Sequence, residues 1–248
     1  MKIAALSLLL LSGTCLADAS VSLYYQGKQL PDLALADGAR LDTLLRNSQL
    51  PPDIYWRSAQ ITTPERQYLA EQQQILLLNE LADLEAAWRT DGEYQQADSA
   101  RHLAQQLSKL TVTGRLPVVL DPDQALRAQA DNPRLDGAYR LYIAPRQPQV
   151  AMFGLIAALP ALPLVAGEGI DAYWRRDALL AGADSAHVLL IQPTGDIEQV
   201  PVAVWNKRHR EPLAGAAMLV GFDADLLPAA FQGINQRIAE IIANRVPK

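Results

Sequence analysis

The chain is poor in the residues that most often carry reactive chemistry. Its 248 residues include one cysteine, three histidines and 6% aromatics. Cys15 lies in the N-terminal stretch L-S-G-T-C-L-A-D-A-S. Once that stretch is removed, no disulfide, thiol nucleophile or zinc-thiolate site can form. His102, His187 and His209 are far apart and none has a second histidine at metal spacing, so no metal site is expected. Both the G-x-S-x-G elbow and the G-x-x-x-x-G-K phosphate loop are missing. Nucleophile and nucleotide chemistry thus have no support, and no cofactor is expected. A net charge of only -5 gives no bulk attraction for nucleic acid or anionic lipid. After the N-terminus no apolar run approaches the roughly 20 residues that a spanning helix needs, so no membrane span is expected.

What is present begins with a leader over residues 1–19. Lys2 supplies its positive end, Ala4 to Leu11 its apolar run, and Ala17-Asp18-Ala19 a small-x-small cleavage site, with the cut expected after Ala19. The alternative is lipid attachment at Cys15. There the residue before the cysteine is Thr14 rather than Gly or Ala, and Ser12 stands where Leu is usual, so the pattern favours a cleaved leader and a periplasmic protein.

Along the rest of the chain, Val21 to Tyr25 reads as a strand, Leu41, Leu44 and Leu45 as a short helix, and Ile54-Tyr55-Trp56 as a second strand. Thr63-Pro64-Glu65 is a helix start, with Thr as cap and Pro at the first helical position. Tyr68, Ile75, Leu78, Leu81, Leu84 and Trp88 then recur at three- and four-residue steps. Thr90-Asp91-Gly92 interrupts, and Tyr94, Ala97, Ala100, Leu103, Leu107 and Leu110 resume the period, which predicts a helical hairpin over 63–109. Thr111 to Leu120 and Gly137 to Ile143 are strand-like, and Pro145 and Pro148 bracket a stiff linker, where the boundary between two domains is expected.

The second half restarts with the strand Gln149 to Phe153. It continues through a helix over Gly167 to Arg175, a hairpin around Pro193-Thr194-Gly195-Asp196, and a strand at Ala217 to Phe222. From Leu227, apolar residues at Phe231, Ile234, Ile238 and Ile241 predict an amphipathic C-terminal helix, about 30 Å long if helical to Val246. Such a helix either packs on its own domain or assembles with copies of itself into a pore. Burial of the stripe on its own domain, in a monomer, is the expectation. Gly38 to Arg46 aligns with Gly167 to Arg175 at a constant offset of 129, with Gly, an apolar residue, Asp and Arg in register. Two copies of a strand-helix-strand module would leave this trace.

Three places in the sequence invite a functional reading. Asp121 and Asp123 are the one pair of close carboxylates with a glycosidase-like arrangement, although Asp-Pro-Asp also ends a strand and caps the next turn. Arg115 follows Gly114 inside an apolar, β-branched segment. A guanidinium there sits at a strand edge, in a structural ion pair, or facing a cleft, where its fork of donors would hold a carboxylate, phosphate or sugar hydroxyls. Trp205 to Pro212 is a dense basic run, W-N-K-R-H-R-E-P, and is either a solvated hairpin loop or a patch for an anionic partner.

Two of these places, L-T-V-T-G-R-L-P-V-V-L-D-P-D at Leu110 to Asp123 and V-W-N-K-R-H-R-E-P at Val204 to Pro212, resemble the GfcC family of capsular polysaccharide biosynthesis proteins. Leu219 to Phe222 and Asn244-Arg245-Val246-Pro247 support the likeness. The resemblance implies an α+β fold of two tandem β-grasp domains, over 20–145 and 146–225. It also implies a helical hairpin inserted in the first domain and an amphipathic helix over 226–248, an architecture related to Wza-type exporters. It further implies a non-enzymatic periplasmic factor in polysaccharide biosynthesis or export, with polysaccharide or outer-membrane export proteins as partners. Arg115 becomes the leading ligand-binding candidate, with Asn206, Lys207, Arg208 and His209 behind it. A glycan hydrolase or lyase using Asp121 and Asp123 is the alternative. The loop from Gly154 to Pro160 departs from related modules by carrying Ala and Leu where glycines are usual, which puts backbone contact with glycan there in question.

Overall fold

The computed structural model describes residues 19–125, 132–158, 161–174, 176–203 and 208–248. Residues 1–18 of the leader, with Cys15, and Asn206 and Lys207 of the basic run lie outside the described residues, while Ala19 is already in the first strand. The chain is a mixed α+β protein with two five-stranded sheets.

The first sheet contains β1 (Ala19–Tyr25), β2 (Lys28–Gln29), β3 (Leu33–Leu35), β4 (Gln60–Thr62) and β5 (Ala138–Ile143), in the order β2-β1-β5-β4 with β3 also on β1. Along β1 the alternation of buried Ala19, Val21 and Leu23 with exposed or half-buried neighbours turns one face inward. Between β3 and β4, α1 (Leu41–Leu45) adds buried Leu41, Leu44 and Leu45 to the same core. The second sheet contains β6 (Gln149–Gly154), β7 (Ala161–Pro163), β8 (His187–Ile191), β9 (Ile197–Pro201) and β10 (Ala217–Val220), ordered β7-β6-β10-β8-β9. In each sheet the first strand runs parallel to the last and antiparallel to the strand that follows it.

The 129-residue offset seen in the sequence extends into the sheets. Val21 pairs with Leu33 in the first sheet and Val150 with Leu162 in the second, at that same offset. Gly38 and Gly167 both have left-handed backbone, with φ of 75° and 79°. Leu41 and Ile170 are both buried, and their N–H groups donate to loop carbonyls, of Pro133 at 3.0 Å and of Arg210 at 2.8 Å. The copies part company just after this point. In place of the helix expected over Gly167 to Arg175, the second has a 3-10 turn at Ile170–Ala172 and another at Arg176–Ala178.

The helical hairpin forms as expected, with α2 (Pro64–Thr90) and α3 (Tyr94–Leu107) joined at Asp91 to Glu93. The Thr63 side chain caps α2 by accepting from the Arg66 N–H, and Pro64 occupies the first turn. The buried stripe of α2 differs from the expected one. It runs through Ala70, Leu77, Leu81, Leu84 and Trp88, while Tyr68 and Ile75 are 61% and 50% exposed. Apolar residues occupy both faces of this helix, so spacing by itself did not pick the inner one.

The hairpin shares its core with the second sheet, although it interrupts the first copy. Leu81, Leu84, Leu103 and Leu107 join Val150, Met152, Leu190 and Met218 in one apolar core, while α1 and the first sheet form another. Trp88 meets Phe222 with ring centroids 5.4 Å apart and planes tilted by 55°. Gln106 on α3 clasps the end of β6. Its amide donates to the Gly154 carbonyl at 2.8 Å and accepts the Gly154 N–H at 2.9 Å.

Three expected elements are shorter or different. Ile54 makes an isolated bridge to Pro145, and Trp56–Ser58 is a 3-10 turn, so the second strand starts only at Gln60. Thr111 to Leu120 forms no ladder strand. Val112 instead bridges Arg245, with the Thr113 N–H donating to the Asn244 carbonyl at 2.7 Å and the Val246 N–H to the Thr111 carbonyl at 2.9 Å. The C-terminal helix α5 spans only Ile234–Ala243, about 15 Å, after 3-10 turns at Ala224–Leu226 and Ala229–Phe231. Pro228 and the left-handed Gly233 stop it from starting at Leu227. Ile234, Ile238, Ile241 and Ile242 are buried in the core of the second sheet. Asn235 anchors the helix to that sheet, accepting from the Phe222 N–H at 2.8 Å and donating to the Phe222 carbonyl at 2.7 Å. The apolar face needed for a pore is therefore occupied. Among the described residues no helix is long and apolar enough to cross a membrane.

Candidate functional site

The segment Thr111 to Arg115 leaves the hairpin and passes between α2 and the end of α5. Gly114 is required by this close passage, because a Cβ there would stand 2.0 Å from the Arg66 carbonyl oxygen. The next residue, Arg115, sends its side chain across to the second half. Nη1 donates to the Thr194 carbonyl, and Nη2 donates to the carbonyls of Pro193 at 3.0 Å and Ala243 at 3.2 Å. The turn between β8 and β9 therefore wraps a guanidinium supplied by the first half.

Beside it stands a second arginine. Arg245, just beyond α5, donates through Nη1 to the Ile242 carbonyl at 2.8 Å and through Nη2 to the Gly215 carbonyl at 2.5 Å. Its own carbonyl accepts from Gln60 Nε2 at 2.8 Å, and Thr113 donates its hydroxyl to the Gln60 Oε1, so residues from both halves hold it. Burial pushes the Arg115 guanidinium down to about 10, opposed by the attraction of Asp196. Burial also pushes Arg245 down to about 10, with the positive charge of Arg115 adding in the same direction. Both stay charged at neutral pH.

These two side chains line a cavity of about 270 Å³ where the halves meet. Tyr55, Ser58 and Gln60 contribute from the first half, and Gln149, Ala151 and Phe153 from β6. This volume suits one small ligand rather than a length of polymer. The donor set is cationic, amide and hydroxyl. Among the described residues no cluster of three His, Cys, Asp or Glu side chains is placed to hold a metal ion.

Of the described residues proposed from the sequence as site candidates, only Arg115 reaches this cavity. Asp121 caps the short helix α4 (Pro122–Ala125), its carboxylate accepting from the Asp123 N–H at 2.9 Å and the Gln124 N–H at 3.4 Å, and Asp123 lies exposed beside it. This is the turn-capping use of Asp-Pro-Asp. Arg208 and His209 are exposed and line no cavity described for the protein. Around them, His209 meets Glu211 at 3.2 Å and Arg210 meets Glu198 at 2.6 Å, so much of the basic run is already paired. In the loop after β6, Leu155 donates to the Val220 carbonyl at 2.9 Å and Ala157 to the Ala178 carbonyl at 2.8 Å. Those backbone groups are spent inside the protein.

Arg245 was missed by sequence reasoning as a site residue. The available signal was its place in the terminal motif Asn244-Arg245-Val246-Pro247, but its burial comes from pairing with Val112, far away in the chain.

The fold and site together define a mixed α+β protein of two sheets with a ligand-sized, arginine-lined cavity between them. Family models described as capsule biosynthesis GfcC, N-terminal, and capsule biosynthesis GfcC C-terminal match residues 17–146 and 159–247. The chain belongs to the GfcC family of capsule biosynthesis proteins. It is also similar to the uncharacterized protein YjbG of Escherichia coli strain K12, with 34% identity over 194 residues and 78% of each chain covered.

Proposed function

We propose that the protein serves capsule or exopolysaccharide biosynthesis as a non-enzymatic periplasmic factor that holds glycan in the cavity between its two halves. The observation that carries this reading is Arg115, a guanidinium from the first half lodged in the wall of a cavity completed by the second. Membership of the capsule biosynthesis family supplies the biological setting, and the leader-like residues 1–19 supply the compartment. Both sheets are copies of one β-grasp module in this reading. It is supported by the shared parallel pairing of first and last strands and by the register conserved at the 129-residue offset.

The test is binding of the purified protein to oligosaccharides prepared from the host's capsule, with Arg115→Ala beside it. Wild type is expected to bind and Arg115→Ala to bind at least about tenfold more weakly, the loss of a charge-assisted contact. No binding by either protein would remove the glycan reading and leave an export-machinery protein as the partner to be sought by cross-linking.

A further inference from the structure

Resting on the glycan reading, we infer that the cavity is selective for an acidic sugar, whose carboxylate is taken by the free donors of Arg115 and Arg245. Two cations share one buried wall, and the hydrogen-bond acceptors they touch are neutral backbone carbonyls. Among the described residues neither forms an ion pair. Among the described residues the arginines in salt bridges are Arg89, Arg101, Arg134, Arg210 and Arg237 instead. Buried charge in proteins is ordinarily matched by opposite charge, because taking an ion out of water is costly. Here Asp196 attracts Arg115 without pairing with it, so two cations face a single carboxylate and a ligand anion would complete the balance.

The donor count agrees. A guanidinium has five N–H groups. Arg115 Nε has no hydrogen-bond partner but is closed off from the surface, and both protons of Nη2 are used, so its spare donor is the second proton of Nη1. Among the described residues Arg245 Nη1 and Nη2 make one hydrogen bond each, which leaves Nε and a proton on each terminal nitrogen for a ligand. Spare donors on two neighbouring guanidiniums, most of them on Arg245, suit a carboxylate.

The rest of the lining argues for a sugar behind the carboxylate. Tyr55 and Phe153 offer aromatic surface, and Gln147 and Gln149 offer amides. A sugar ring, with apolar faces and a rim of hydroxyls, uses both kinds of surface, whereas a bare oxyanion uses neither.

Calorimetric titration of the full protein with methyl β-D-glucuronide, methyl β-D-glucoside and inorganic phosphate tests this. The glucuronide is expected to bind at least about tenfold tighter than the glucoside, since its carboxylate adds charge-assisted hydrogen bonds. It should outcompete phosphate and weaken as salt is raised. Arg245→Gln should bring the two glycosides within about threefold of each other. Ala151→Phe, which fills the cavity from β6 and keeps both guanidiniums, should abolish binding of both.

Equal binding of glucuronide and glucoside would overturn the acidic preference while leaving the glycan reading intact, and so would capsular oligosaccharide binding with no response to glucuronide. Phosphate binding as tightly as the glucuronide would overturn the sugar and assign the wall to a simple anion. Glucuronide binding undiminished in Ala151→Phe would remove the site from this cavity. These wild-type titrations and Ala151→Phe decide the question even if Arg245→Gln fails to fold.

Discussion

The first sheet keeps its own helix, α1, whereas the second has only a 3-10 turn at the equivalent place and takes its cover from α2, α3 and α5. The same strand plan thus supports two different cores. One is closed mainly by residues within its own copy. The other is closed partly by a helical pair that the chain inserts into the opposite copy. An insertion in one module has become structural material for the next, so the two halves are joined by a shared core as well as by a linker.

The strongest way to break this contrast is at Trp88, which the hairpin presents to Phe222. Trp88→Ala should cost about 4 kcal/mol in urea unfolding, and hydrogen exchange should rise in β10 well before it rises in β1. Equal exchange in both sheets would mean that the cores are not separable in this way. Gly114→Ala comes next, at about 3 kcal/mol, because its Cβ would collide with backbone that cannot rotate aside. That variant should loosen both sheets together, since the segment is where they join. Gln106→Leu leaves the Gly154 N–H and carbonyl without their partner and should cost about 2 kcal/mol, with the loss confined to the second sheet in the same exchange measurement. Smallest is Arg237→Gln, which removes the ion pair between α5 and Glu80 on α2. Half-exposed pairs of this kind contribute less than about 1 kcal/mol, so its midpoint shift should be the least of the four and should shrink further in high salt.

Local signals are legible in the sequence, and long-range ones are not. Thr63-Pro64 announces α2 because a cap and a proline at the first turn act within four residues. The hairpin turn at Pro193 to Asp196 is equally local. Thr111 to Leu120 has strand composition, yet its pairing at Val112 is to Arg245, so composition could not show whether it would find a ladder. At Gly167 to Arg175 the aligned glycine and apolar residue coincide with a left-handed Gly167 and a buried Ile170, while the expected helix is only a turn. The site divides in the same manner. Arg115 stood out as a charge in an apolar run, whereas Arg245 lies in an ordinary polar tail and becomes buried only through tertiary pairing.

That pairing has a consequence for the chain as a whole. Thr113 and Asn244 meet across 131 positions of chain, and Arg115 and Ala243 across 128. Contacts so distant in sequence close large loops, at a cost in chain entropy that the folded state has to offset. The arginine-lined wall therefore exists only while both ends of that long loop are seated together, and a ligand held there would tie the two ends of the chain to each other.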